Sequence, residues 1–97
     1  MLFTLDTFWV QAGGASPTKY IKKLQGRIKV IHFKDFRILN RARQFAEIGQ
    51  GNLDWDEIIA VCKSTGITCA AIEQDGDWLV DPFQSLAMSR EFLLGKV

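Results

Sequence analysis

Three short apolar runs, each closed by one ionisable side chain, constrain the fold of this 97-residue chain more than any other feature. Residues 2–5 (Leu, Phe, Thr, Leu) stop at Asp6, residues 28–33 carry His32 near their end, and residues 67–72 stop at Glu73. Runs of this length and bulk suit strands buried on both faces. The segments between them read as helices. Ser16 followed by Pro17 is an N-cap with proline at the first helical position, where a missing N–H costs nothing. Tyr20, Ile21 and Leu24 then give an apolar stripe, and Gly26 suits a C-cap, so residues 17–25 are predicted helical. Asp54 with Glu57 is a capping-box variant ahead of Trp55, Ile58, Ile59 and Cys62, one helical face that stops at Gly66. Asp81, Pro82 and Gln84 repeat the signal before a last helix running to Gly95, with Phe83, Leu86 and Ala87 expected to face inward. The order β-α-β-α-β-α argues for a parallel sheet with right-handed crossovers. Residues 34–53, with Arg37, Arg41 and Arg43 among Phe36, Ile38, Leu39 and Phe45, read as a long connection, and long connections are usually functional.

In parallel α/β folds the carboxyl ends of the strands point the same way, and ligands bind there. Neighbouring parallel strands would therefore bring Asp6, His32 and Glu73 to one rim. Two carboxylates and an imidazole suit a hard or borderline divalent ion such as Mn²⁺, Mg²⁺ or Co²⁺. No thiolate belongs to the set, which argues against structural zinc. Each residue also has an ordinary reading: an Asp that caps a turn, a hydrogen-bonded His, a solvated Glu. Their coincidence at equivalent strand ends favours the joint reading.

Composition excludes several other classes. Twelve Lys and Arg against eleven Asp and Glu leave a net charge of +1, which argues against a partner chosen by bulk charge. No apolar segment is long enough to span a bilayer, and residues 1–10 lack a basic n-region and carry Asp6, unlike a signal peptide. Cys62 and Cys69 lack metal or redox spacing and read as small buried hydrophobes, consistent with a reducing cytoplasm.

Four stretches occur in a telling order: Asp6-Thr7-Phe8-Trp9; Gly26-Arg27-Ile28 leading to His32-Phe33-Lys34-Asp35; residues 45–55 (Phe-Ala-Glu-Ile-Gly-Gln-Gly-Asn-Leu-Asp-Trp); and Glu73-Gln74-Asp75. Together they resemble the C-terminal part of the xylose-isomerase-like sugar phosphate isomerase/epimerase family, over nearly the whole chain. The resemblance implies three consecutive β-α units of a TIM barrel and a divalent-metal enzyme working through an enediol. It implies Asp6, His32 and Glu73 as metal ligands, with Mn²⁺ foremost and Mg²⁺, Co²⁺ or Zn²⁺ as alternatives. Glu73 would also be the proton-moving carboxylate, Lys34 a substrate contact and Asp35 a partner that supports the ligands from behind. The family's fourth ligand, a Glu from an earlier strand, has no counterpart here, and some relatives have His in place of Trp9. Trp9, three residues past Asp6, is placed to stack on a sugar ring, and Arg37 to meet a sugar phosphate.

A full barrel needs eight strands and about 250 residues. The expectation is therefore a fragment, residues 1–97, whose open strand edges drive homo-oligomer formation. A non-catalytic structural piece that self-associates is the second reading. A third is a metal-dependent apurinic-site endonuclease, in which Arg37, Arg41 and Arg43 would contact phosphates; the near-zero net charge argues against it.

Overall fold

The computed structural model describes residues 1–96. Its elements run β1 (Phe3–Asp6), α1 (Thr7–Ala12), α2 (Pro17–Lys23), β2 (Ile28–Phe33), β3 (Asp35–Leu39), β4 (Ala42–Ala46), α3 (Trp55–Ser64), β5 (Ala70–Ile72) and α4 (Pro82–Leu94). Strands β1, β2 and β5 form a parallel sheet in that order. Strands β3 and β4 form a separate antiparallel hairpin inserted between β2 and α3. This is an open α/β arrangement of strand–helix units, part of a barrel and not a closed one.

Side-chain caps start the helices where the sequence marks them. Ser16 accepts from the Lys19 amide, Asp54 from the Glu57 amide at 3.0 Å and Asp81 from the Gln84 amide at 2.9 Å. Each satisfies an amide that the first turn leaves without a backbone partner. Strand alternation then sorts the sheet into two faces. Leu5, Ile31, Phe33 and Ile72 join Ile21, Trp55, Ile58, Ile59 and Cys62 in one apolar core beneath α2 and α3. Phe33 and Trp55 meet edge to face, their centroids 5.1 Å apart. The register pairs Thr4 with Val30, Asp6 with His32 and His32 with Ala71, so these residues share the opposite face. Among the described residues, no helix is long and apolar enough to cross a membrane.

The structure departs from the sequence reading in five places. The segment read as a long connection contains the β3–β4 hairpin, closed by Asn40 and Arg41 at φ 52° and 63°. Both lie in the left-handed region that a tight hairpin turn demands, and an Arg in place of the usual Gly hides the turn. A short helix, α1, follows directly on β1 because the Asp6 side chain caps it. Helix α2 ends at Lys23, with Leu24 as its C-cap. Strand β5 covers only Ala70–Ile72, and Cys69 is exposed rather than buried; β5 is an edge strand that pairs with β2 alone among the described residues. In α4 the buried residues are Ser85, Ser89 and Leu93, while Phe83, Leu86 and Ala87 are exposed. The inward face is fixed by hydroxyls: Ser85 donates to the Glu47 carboxylate, and Ser89 accepts from the Ile48 amide at 2.9 Å. An apolar stripe cannot supply those bonds.

The two cysteines give a direct probe of this packing. Burial pushes the Cys62 thiol up to about 11, so at pH 8 it stays protonated and shielded. Alkylation of the native chain at pH 8 is expected to label Cys69 alone, with Cys62 reacting only after unfolding; equal labelling by mass spectrometry would contradict the packing of α3.

Candidate metal centre

The polar rim begins with the register of the sheet. Asp6 and His32 are direct cross-strand neighbours at the ends of β1 and β2. Glu73 follows β5, and its amide donates to the Phe33 carbonyl at 3.0 Å, extending the β2–β5 ladder by one bond. The three side chains therefore converge because the backbone carries them to the same level. One potential ligand atom from each lies within 4.8 Å of the others. His32 Nδ1 is 3.2 Å from Glu73 Oε2 and 3.8 Å from Asp6 Oδ2. Asp6 divides its oxygens: Oδ1 accepts from the Trp9 amide at 3.1 Å and caps α1, while Oδ2 faces the rim. Asp6 thus caps α1 with one oxygen and turns the other to the rim.

Lys34 lies at the centre of the cluster. It is almost wholly buried, and its Nζ sits 2.8 Å from Asp75 Oδ2, 3.0 Å from Asp6 Oδ2 and 3.1 Å from Glu73 Oε2. Burial works against its charge, but the bonds to Asp75, Asp6 and Glu73 outweigh that and hold its pKa well above the ordinary lysine value. The Phe45 ring lies 5.6 Å from the ammonium. Thr7 fixes the backbone beneath it. This buried hydroxyl accepts from the Lys34 amide at 3.0 Å and donates to the Lys34 carbonyl at 2.8 Å. It thereby ties the start of α1 to the end of β2.

Sequence reasoning missed Thr7 and Asp75. Asp75 was within reach, since it lies two residues past Glu73 and so on the same side of an extended segment. Thr7 belongs to the Asp6–Trp9 stretch, but a lone Thr after a strand gives no sign of its own role.

The other expected residues are placed less centrally. Trp9 is half-exposed, packs edge-on against Phe8 and Phe45, and carries the Arg43 guanidinium 5.3 Å from its ring. Arg37 lies on β3, where its Nε donates to Gln44 across the hairpin at 3.3 Å. Among the described residues, the Asp35 carboxylate makes no bond to Asp6, His32 or Glu73, so the expected supporting contact is not formed. Its buried carboxylate accepts from the amides of Phe36 and Leu53 at Oδ1 and of Gly49 and Gly51 at Oδ2, at 2.7–3.3 Å. It organises the loop before α3. Gly51 is required there, since a Cβ would lie 2.5 Å from the Phe36 carbonyl oxygen. Replacing Asp35 with Ala strands four amides, and urea unfolding is expected to show a loss of about 3 kcal/mol or more; a loss under 1 kcal/mol (roughly that of one ordinary hydrogen bond) would show the loop holds itself.

No family model matches the sequence, and no curated protein matches it. Solved structures do. A sugar phosphate isomerase/epimerase from Parabacteroides distasonis ATCC 8503 superposes with a TM-score of 0.75 at 22% identity, covering 96% of this chain and 30% of its own. A second from the same organism matches at TM-score 0.75 and 24% identity, covering 95% of this chain and 29% of its own. The chain thus spans about three-tenths of the length of these structures and has the fold of that part of them.

Proposed function

We propose that Asp6, His32 and Glu73 form three sides of a divalent-metal site, and that the chain is part of a metal-dependent sugar or sugar-phosphate isomerase or epimerase. The observation that carries this is the convergence of three potential ligand atoms within 4.8 Å at the ends of three parallel strands. Ligand bonds of about 2.1 Å place donor atoms roughly 3–4.2 Å apart, so only a small contraction is needed. Charge supports the fit. Three carboxylates, from Asp6, Glu73 and Asp75, surround one ammonium, leaving an excess of two negative charges that a divalent cation would balance. The oxygen and imidazole donors favour Mn²⁺, with Mg²⁺, Co²⁺ or Zn²⁺ as alternatives. The likeness to isomerase/epimerase structures supports the choice of chemistry.

When bound, the metal would polarise the substrate's carbonyl and hydroxyl oxygens. Glu73, half-open to solvent, would take a proton from the carbon next to the carbonyl and return it to give the isomer or epimer, by way of an enediol. Lys34 would exchange one carboxylate contact for a substrate oxygen, keeping positive charge where negative charge develops. Trp9 and its Arg43 neighbour would border the sugar, and Arg37 would stand farther out for a phosphate. The open outer edges of β1 and β5, with exposed Leu79, Val80, Phe83 and Leu86, support pairing with a second copy.

Calorimetric titration of the chain with Mn²⁺ tests the site. Saturable binding is expected, and an Asp6→Ala, His32→Ala double variant is expected to lose it; heat that survives in the double variant places the ion elsewhere. Light scattering on the same samples is expected to show a dimer or larger species, and a monodisperse monomer excludes the pairing.

A further inference from the structure

Glu47 follows β4 and is fully buried, yet no cation pairs with it among the described residues. A carboxylate in that position is costly unless donors replace its water. Three do, all at Oε2: Gln74 Nε2 and the Leu79 amide, each at 3.1 Å, and the Ser85 hydroxyl. Two, Gln74 and Leu79, come from the segment that follows β5, and Ser85 comes from α4. Burial works against the charge, but the bonds from Ser85, Gln74 and the backbone amides outweigh it and hold the carboxyl below its ordinary pKa. The group is therefore an ionised anchor at neutral pH.

Its place in the chain gives the anchor a purpose. Gln74 lies between Glu73 and Asp75. The side chains of Glu73 and Asp75 meet Lys34, while that of Gln74 turns the other way to Glu47. Pinning the middle side chain of three, with its two neighbours turned the other way, sets the direction of those neighbours. Further bonds close the same segment: Gln74 Nε2 to the Gly76 carbonyl at 3.0 Å, Trp78 Nε1 to the Gln74 carbonyl at 3.3 Å, and the Phe45 amide to Asp77 Oδ2 at 2.9 Å.

We propose that Glu47 is a positioning residue that, through Gln74, aims the Glu73 and Asp75 carboxylates at Lys34 and the metal site. This rests on the metal reading above for its functional consequence, but the aiming itself does not.

The buried oxygens Glu47 Oε1 and Gln74 Oε1 have no donor. In Glu47→Gln, the new amide can keep an oxygen toward Gln74 Nε2 and offer its NH₂ to the unpaired side, so the tie survives. In Glu47→Leu it cannot. Hydrogen exchange and Mn²⁺ calorimetry on both variants test the proposal. Glu47→Leu is expected to speed exchange of amides 74–79 selectively, leaving β1 and β2 protected, and to weaken Mn²⁺ about tenfold or more. Glu47→Gln is expected to stay near wild type in both. If Glu47→Leu does not fold, Gln74→Leu breaks the same tie and carries the same expectation. Unchanged exchange at 74–79, or a uniform rise across the whole sheet, overturns the positioning role. If the wild-type chain binds no Mn²⁺, the metal reading fails, and the exchange result still decides the role of Glu47.

Discussion

A single buried ammonium organises the polar end of this sheet. Without Lys34, the carboxylates of Asp6, Glu73 and Asp75 would face one another across a few ångströms without its charge to offset their repulsion. With it, side chains from the ends of two outer strands are drawn toward the central strand. The arrangement depends on Lys34 standing one residue past β2, the middle strand, where Thr7 clamps its amide and carbonyl. A lysine on an edge strand would reach only one neighbour. The salt bridges are therefore consequences of topology as much as of charge. Their worth lies in fixing geometry more than in adding stability, since desolvating the buried Lys34 ammonium offsets much of the attraction.

Two fully buried carboxylates, Asp35 and Glu47, do comparable work with no cation paired to them among the described residues. Asp35 gathers four backbone amides around one side chain and folds residues 49–53 into the approach to α3. Glu47 gathers donors from the segment after β5 and from α4. They flank the hairpin, one at its first residue and one just past its last. The excursion from the sheet is thus tied down at both feet by amide and hydroxyl donors, and its tip projects freely, with Ile38 and Leu39 exposed. Glycine at 49, with φ +91°, lets the chain turn two residues past Glu47 where a Cβ would strike the Phe92 ring.

The sequence made the sheet, the three capped helices and the convergence of Asp6, His32 and Glu73 legible, because those follow from local patterns: apolar runs, cap residues and strand ends. What it concealed depends on long-range partners. Nothing near Thr7 in the chain reveals that Lys34 will lie against it. The inward face of α4 was misread because two serines fill it, and their burial makes sense only once Glu47 and Ile48 are known to be opposite. The hairpin was hidden by Arg41 in a conformation that usually calls for Gly or Asn. Asp35 sits beside the rim in sequence, but its bonds run to amides up to eighteen residues away. Adjacency along the chain was a poor guide to which neighbour a buried carboxylate would choose.

The divided carboxylate of Asp6 limits how this position can vary. One oxygen starts a helix and the other carries charge to the rim. Ser, Thr and Asn start helices about as well but carry no charge. Glu carries the charge, but its longer side chain cannot reach back to the amide three residues on in the same way. Only one amino acid of the twenty meets both demands at once. Drift at residue 6 is therefore confined to choices that give up either the local fold or the rim, and a chain keeping both keeps Asp.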